Sequence, residues 1–269
     1  MSDTYRFVLT DHAAWRATSV GSRRVFVLPD GGQWLVTIDG DKPLPCPLAA
    51  GNARPRLDVF TVAEPTASDV QSLLEALAGL GAVARFRTTD LWEAIATAII
   101  RQVIRAPHAR QLHRNFCDAH GHRVTCPDGD DYALFPDAET VLGLDDEQYA
   151  SIGMTFKRRP LRAAAEAYLK HGSQWRELPP GELVTELQQV PRIGPWTAGA
   201  AVADFSNDFA YYPYADLAVR TWAKRAAPGY PWPDEEQEFG RLWRRLAGSQ
   251  LAPLTLLTLA WGSHHGDTG

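Results

Sequence analysis

Three groups of residues in this sequence have types and spacings that suit chemistry. The first is Val190-Pro191-Arg192-Ile193-Gly194, followed at once by Pro195-Trp196-Thr197-Ala198. Before it, Glu182 to Gln189 carries Leu183 and Leu187 on one helical face. Pro195 suits the first position of a second helix, where its missing N–H would have no intrahelical partner. A helix, a tight hairpin and a helix are therefore expected over about residues 182–205. The open amides of such a hairpin, with the positive end of the second helix, make a site for one anionic oxygen, and a DNA phosphate is the natural ligand. The second group is aromatic: Trp196, Tyr211, Tyr212, Tyr214, Trp222 and Trp261. An aromatic face attracts a desolvated cation by roughly 0.5–2 kcal/mol, although most aromatic side chains simply fill a core. The third group, His113, Cys117, His120, His122 and Cys126, matches no familiar tetrahedral zinc spacing, and Cys117 falls where a helix would bury it. No metal and no cofactor are expected. Asp216 stands directly before Leu217 to Ala226 and suits the cap of that helix.

The chain that positions these residues has 269 of them, 45% hydrophobic, enough for a large core and for more than one domain. No apolar run approaches the roughly 20 residues needed to span a bilayer, and Met1 to Thr10 lacks a secretory pattern. Three cysteines cannot make a disulfide framework, which fits a reducing compartment. A cytoplasmic protein is expected, nucleoid-associated if bacterial, with no membrane partner and acting as a monomer. The net charge of −5 runs against the basic footprint of a nucleic-acid binder. Basic residues do cluster locally, at Arg101, Arg105, Arg110 and Arg114, at Lys157, Arg158, Arg159 and Arg162, and at Arg220, Lys224 and Arg225. They read either as one basic face or as the solvated faces of ordinary helices.

Residues Tyr5 to Leu9, Arg24 to Leu28 and Trp34 to Ile38 read as short strands, the last two joined through Pro29-Asp30-Gly31-Gly32 as a hairpin. The Pro-rich stretch Lys42 to Pro47 and the segment Gly51 to Arg56 are expected to carry the chain away from this unit. From about residue 65 the pattern turns helical. Ser68-Asp69 can cap a helix through Leu80, and Thr89-Asp90 one in which Leu91, Ile95, Ile99 and Val103 recur at helical period. Pro107 interrupts that run, a further helix reaches about Phe116, and a polar loop covers His120 to Tyr132. Short helices start near Asp137 and Asp145, and Pro160 fits the first turn of a helix ending near Gly172. The expected fold is α+β, mainly α: a small antiparallel β domain over 1–64, then an all-helical body of two lobes over 65–269.

The hairpin and the aspartate together resemble the helix-hairpin-helix DNA glycosylases, whose hairpin commonly reads Leu-Pro-Gly-(Ile or Val)-Gly. In that family a catalytic aspartate lies just over twenty residues beyond the last glycine, and here Asp216 follows Gly194 by 22 positions (216 − 194). The resemblance covers about residues 66–263 and implies that Asp216 is catalytic as well as a cap. It also implies simple hydrolysis. Members that cleave the DNA backbone carry a Schiff-base lysine two residues beyond the last hairpin glycine, where this chain has Trp196, which cannot attack.

Tryptophan at that position is similar to the 3-methyladenine DNA glycosylase II branch, which implies a base pocket of Trp196, Trp261 and Tyr214. The same likeness makes Ala98-Ile99-Ile100-Arg101-Gln102-Val103 the helix end that enters the DNA stack, with Val103 as the wedge and Gln102 beside the vacated space. Read from spacing alone, Val103 is equally a core position on its helix. Phe135-Pro136, Gly153-Met154 with Lys157-Arg158, and Leu256 to Trp261 match further segments of the family. Pro191, Arg192, Ile193, Gly194 and Thr197 would bind DNA. Arg192 replaces the first hairpin glycine, so it is either strained by a positive φ or an added phosphate contact. The implied partner is double-stranded DNA with a damaged base, and the implied reaction is excision of alkylated purines of the 3-methyladenine type. A cationic base would need no general acid. The rival readings are a non-catalytic DNA-binding module, and a glycosylase of the same fold for uracil, mismatched thymine or one bulky adduct.

Overall fold

The computed structural model describes residues 5–62 and 70–266. The expected cap at Ser68-Asp69 lies outside the described residues. The fold is α+β and mainly α, as the sequence pattern implies.

The N-terminal part forms a four-stranded antiparallel sheet in the order β2 (Arg16–Thr18), β3 (Gly21–Val27), β4 (Gln33–Asp39) and β5 (Lys42–Ala49). The β3–β4 turn is held by Asp30, whose carboxylate accepts from the Gly32, Asn52 and Ala53 amides. Gly31 supplies the positive φ of 81° that this turn needs. β5 corrects the expectation that Lys42 to Pro47 leaves the sheet: Pro43, Pro45 and Pro47 sit opposite Ile38, Val36 and Trp34 in an ordered ladder. Alternate strand residues point their N–H groups the same way, so prolines in steps of two keep the bonds to β4 and leave the outer edge without donors.

A second sheet places β7 (Val83–Phe86) between β1 (Phe7–Val8), which is parallel to it, and β6 (Leu57–Phe60), which is antiparallel. Its central strand thus comes from beyond residue 64, after the helix α1 (Gln71–Ala78).

The helical part follows the local signals closely. Asp90 caps α2 (Leu91–Arg101) by accepting from the Trp92 amide at 3.0 Å. Pro107 opens α3 (Ala106–His120) from its first turn. The segment expected as a plain loop, His120 to Tyr132, instead pairs β8 (Arg123–Thr125) with β9 (Asp131–Ala133). Asp137 caps α4 (Ala138–Gly143), and Asp145 with Gln148 forms a reciprocal capping box on α5 (Asp146–Ser151). Then come α6 (Arg158–Trp175), α7 (Pro180–Leu187), α8 (Pro195–Ser206), α9 (Leu217–Ala226), α10 (Glu236–Ala247) and α11 (Leu251–His265).

Leu77, Ile95, Ile99, Phe116, Leu161 and Ala200 belong to one continuous core. The buried run Ala198-Gly199-Ala200-Ala201-Val202-Ala203 gives α8 a surface of small side chains, so α2 packs closely along it. No helix among the described residues is long and apolar enough to cross a membrane.

Candidate active site

α2 stops at Arg101, two residues short of the expected periodic run, because Gln102 adopts φ −53° and ψ 128°. Val103 follows at φ 58° and is completely exposed, at 103% of its reference surface. It therefore packs on no helix face, and the core reading of this residue is overturned. A β-branched residue at positive φ costs on the order of 1–3 kcal/mol, so the surroundings must impose the turn. They do so through Gln102. Its Nε2 donates to Thr197 Oγ1 at 2.6 Å and to the Arg192 carbonyl at 3.3 Å, while its own carbonyl accepts from Lys157 Nζ at 2.6 Å. Burial lowers the Lys157 pKa to about 8.

The hairpin hangs from two buried side chains, Val190 and Ile193, closed by the Ile193 amide bonding the Val190 carbonyl at 3.0 Å. Pro191, Arg192 and Gly194 are exposed around them. Arg192 has φ 72°, so the first alternative for this residue holds: it occupies a conformation that favours glycine. Gly194 caps α8 with no side-chain hydrogen bond. The first turn of α8 thus presents its amides and the positive end of its dipole at this exposed hairpin. The Gln102 bonds join the end of α2 to the hairpin: Val103, Pro191, Arg192 and Gly194 are exposed, while Ile193 and Thr197 are buried beneath them.

Asp216 caps α9, its Oδ1 accepting from the Leu217 amide at 2.8 Å, while Oδ2 accepts from the Tyr212 hydroxyl at 3.2 Å. The half-buried carboxylate is therefore fixed by one donor on each oxygen. Burial raises the Tyr212 pKa, with Asp216 adding to the shift, so the phenol remains a proton-bearing donor at neutral pH. The segment carrying Tyr212 and Tyr214 is pressed onto α8. A Cβ on Gly199 would lie 2.3 Å from the Tyr211 carbonyl oxygen, so only glycine permits this approach. Tyr214 is half-buried beside Gly240, with the Arg244 guanidinium 5.6 Å from its ring centre.

Arg101 joins the two halves of the site. Trp196, Ala200 and Asp204 lie at steps of four along one face of α8. The Arg101 guanidinium spans that face, 5.8 Å from the Trp196 ring centre and bonded through Nη1 to Asp204 Oδ2 at 3.1 Å. Its charge opposes the rise that burial gives the Tyr212 pKa. Burial opposes the Arg101 charge, but Asp204, Tyr212 and Asp11 outweigh it and raise the pKa. Arg101 thus lies against Trp196 of α8, and the Tyr212–Asp216 pair is carried by the segment packed on Gly199, about one helical turn farther along.

Trp261 stands elsewhere. Its ring stacks on His265 at 4.3 Å and lines a cleft with Arg6, Phe7, Glu75 and Gly79, a lining that includes neither Tyr212 nor Asp216. Three residues of the site escaped sequence reasoning as site residues: Tyr212, Arg101 and Lys157. Tyr212 was within reach, four positions before Asp216 and among the aromatic candidates. Nothing local marks Arg101 or Lys157 apart from other basic residues, because their partners lie 103 and 55 positions away.

No protein-family model and no curated protein sequence matches the chain. Solved structures do. The chain is similar to a 3-methyladenine DNA glycosylase from Archaeoglobus fulgidus, with 18% identity and a TM-score of 0.66 over 95% of this chain and 91% of that one. It is similar to an 8-oxoguanine glycosylase/lyase from Clostridium acetobutylicum bound to DNA, with 15% identity and a TM-score of 0.69 over 98% and 94%. A DNA-3-methyladenine glycosidase from Bacillus halodurans matches at 16% identity and a TM-score of 0.52 over 73% and 87%. At such identities the likeness is one of fold: the chain has the fold of these helix-hairpin-helix DNA glycosylases.

Proposed function

We propose that the chain is a monofunctional DNA glycosylase that turns a damaged, alkylated purine out of duplex DNA and hydrolyses its N-glycosidic bond at Asp216. The observation that carries this reading is the two-point fixing of the Asp216 carboxylate, by the α9 amide and the Tyr212 hydroxyl, on a segment packed against Gly199 in the first turns of α8. A base stacked in a duplex is shielded, so its nucleotide must rotate out at a cost of a few kcal/mol while an apolar side chain fills the gap. Val103, next to the Gln102 that bonds the hairpin, is fully exposed, and Phe156, next to the Lys157 that bonds Gln102, is exposed as well. The open α8 amides suit the adjoining phosphate.

Once the nucleotide is out, the C1′–N bond breaks with its electron pair going to the base, and the sugar becomes oxocarbenium-like. A carboxylate held by two donors stabilises that cation without reorganising, and it orients a water whose oxygen bonds to C1′ and whose proton it accepts. The water's attack leaves an abasic site. Trp196 stands where a lyase would need an amine, so no covalent sugar–enzyme adduct forms.

The test is single-turnover excision from duplexes carrying defined lesions. Asp216→Asn is expected to slow excision by about a thousandfold, the scale of losing one preorganised electrostatic stabiliser, while affinity for an abasic duplex is retained. Borohydride treatment of the wild-type reaction is expected to trap nothing. Excision unchanged in Asp216→Asn would remove the basis of the assignment.

A further inference from the structure

The Trp196 ring already has a cation beside it. The Arg101 guanidinium lies 5.8 Å from the Trp196 ring centre, and its charge is secured by Asp204 from behind. Asp204 is 4% exposed and is shared with Arg85, whereas the Arg101 side chain retains 30% exposure. Among the described residues Arg101 donates a single hydrogen bond, from Nη1 to Asp204. Its remaining N–H groups are unspent, on a group that faces Trp196, and Trp196 lies one helical turn from Gly199, against which the segment carrying Tyr212 and Asp216 is packed.

We propose that Arg101 is a specificity-determining residue of the base pocket, and that it selects alkylated purines that remain uncharged over those made cationic by methylation at N3 or N7. This rests on the reading of Asp216 and Trp196 as the excision site. A base methylated at N3 or N7 carries a full positive charge and meets a second, permanent one beside the same ring. An uncharged alkylated purine, with an etheno ring or an O6-alkyl group, instead offers carbonyl, ether or ring-nitrogen acceptors to the free guanidinium donors.

Arg101 also answers the chemical difficulty of such substrates. A cationic base leaves as a neutral molecule, but an uncharged one takes the bonding electron pair away as negative charge. A fixed guanidinium donating to the departing ring stabilises that charge without giving up its proton, which the attacking water later supplies by way of Asp216. The two groups divide the work, Asp216 on the sugar cation and Arg101 on the leaving base.

The experiment compares single-turnover excision of ethenoadenine and O6-methylguanine with that of 7-methylguanine and 3-methyladenine, in wild type, Arg101→Gln, Arg101→Lys and Asp216→Asn. Wild type is expected to favour an uncharged lesion by at least about tenfold. Arg101→Gln is expected to lose about 10- to 100-fold on that lesion and to hold or gain on the charged ones, inverting the ratio. Arg101→Lys should still reject charged bases yet excise the uncharged lesion more slowly, because a point charge replaces a planar fork. A wild-type preference for 7-methylguanine overturns the proposal. So does an equal slowing of all lesions in Arg101→Gln, which would make Arg101 merely a partner of Asp204. Asp216→Asn separates the two readings: its loss of activity on every lesion supports the site whichever way the preference falls. A wild type inactive on every lesion, or an active Asp216→Asn, overturns both.

Discussion

At one end of the α2–α8 pair, where it meets the sheets, Arg85 is 1% exposed and donates to Asp11 at 2.9 Å, Asn207 at 2.5 Å and Asp204 at 2.6 Å. At the other end Val103 and Arg192 sit at φ 58° and 72° with their side chains in solvent. The first region hides charge and satisfies it. Asn207 turns back to donate to the Arg85 carbonyl at 3.0 Å, and the Thr88 amide bonds the Asp204 carbonyl at 3.0 Å. The second region accepts backbone strain and exposes apolar surface, both of which cost stability. Strain persists only where neighbouring structure imposes it. The contrast therefore assigns the buried end to anchoring the helices on the sheets, and it agrees with the role proposed above for the strained end. Arg101 belongs to both, with its carboxylate partner in the buried cluster and its face toward Trp196.

The sharpest way to break this division is Arg85→Met. Removing one member of a buried ion cluster leaves its partners uncompensated, here Asp11 first, since Asp204 keeps Arg101. A loss of about 3–5 kcal/mol in unfolding free energy is expected, read from urea midpoints. The residual folded enzyme should keep the wild-type lesion preference. A stability within about 1 kcal/mol of wild type would show that the cluster is not the anchor.

The sheet side also carries buried histidines, which make it sensitive to acid. Burial lowers the His113 pKa to about 3, with Arg24 adding to the effect, and holds His12 well below its ordinary value. The unfolded chain takes up a proton near pH 6.5 that the folded chain refuses until about pH 3, so stability falls as pH drops through that window. The contribution of His113 is on the order of 4–5 kcal/mol at the acid end. His113→Asn should flatten the dependence of the urea midpoint on pH between about 6 and 4. An unchanged slope would locate the acid sensitivity elsewhere.

At the strained end the expected effects are smaller and opposite in sign for stability and function. Val103→Gly relieves a β-branched residue at positive φ and should raise stability by about 1 kcal/mol. The same change removes the exposed apolar group and should slow excision from duplex by about tenfold, with much less effect on a lesion opposite a gap. Excision unaffected on the duplex would deny Val103 the wedge role.

Legibility in the sequence follows the same division. The caps at Asp90, Asp137, Asp145 and Asp216 were readable because a short polar side chain reaches an amide within three residues, and each does so here. The helix-hairpin-helix run was readable because Pro195 sets the start of α8 and Leu183 and Leu187 share the buried face of α7. β5 was misread because proline was taken as a strand breaker, without the edge geometry that steps of two permit. The end of α2 was missed because periodicity continues to Val103 in sequence while Gln102 is pulled away by Thr197, Arg192 and Lys157. The Arg85 cluster was invisible, since Asp11, Arg85, Asp204 and Asn207 meet only in the fold.

The finest test concerns Arg192, where the sequence posed strain and phosphate contact as alternatives. The backbone shows the strain, with φ at 72°, and the exposed guanidinium leaves the second role available as well. Arg192→Gly separates the two. Glycine adopts this φ at no steric cost, so stability should rise by a few tenths to about 1 kcal/mol. If the guanidinium also neutralises a phosphate, the slope of log affinity for duplex DNA against log salt should shrink by about 0.9. Higher stability with an unchanged slope would make Arg192 a strained residue with no electrostatic return. Lower stability would mean that the strain is offset by contacts of its aliphatic stem, and the hairpin would then be held by more than Val190, Ile193 and the Gln102 bond.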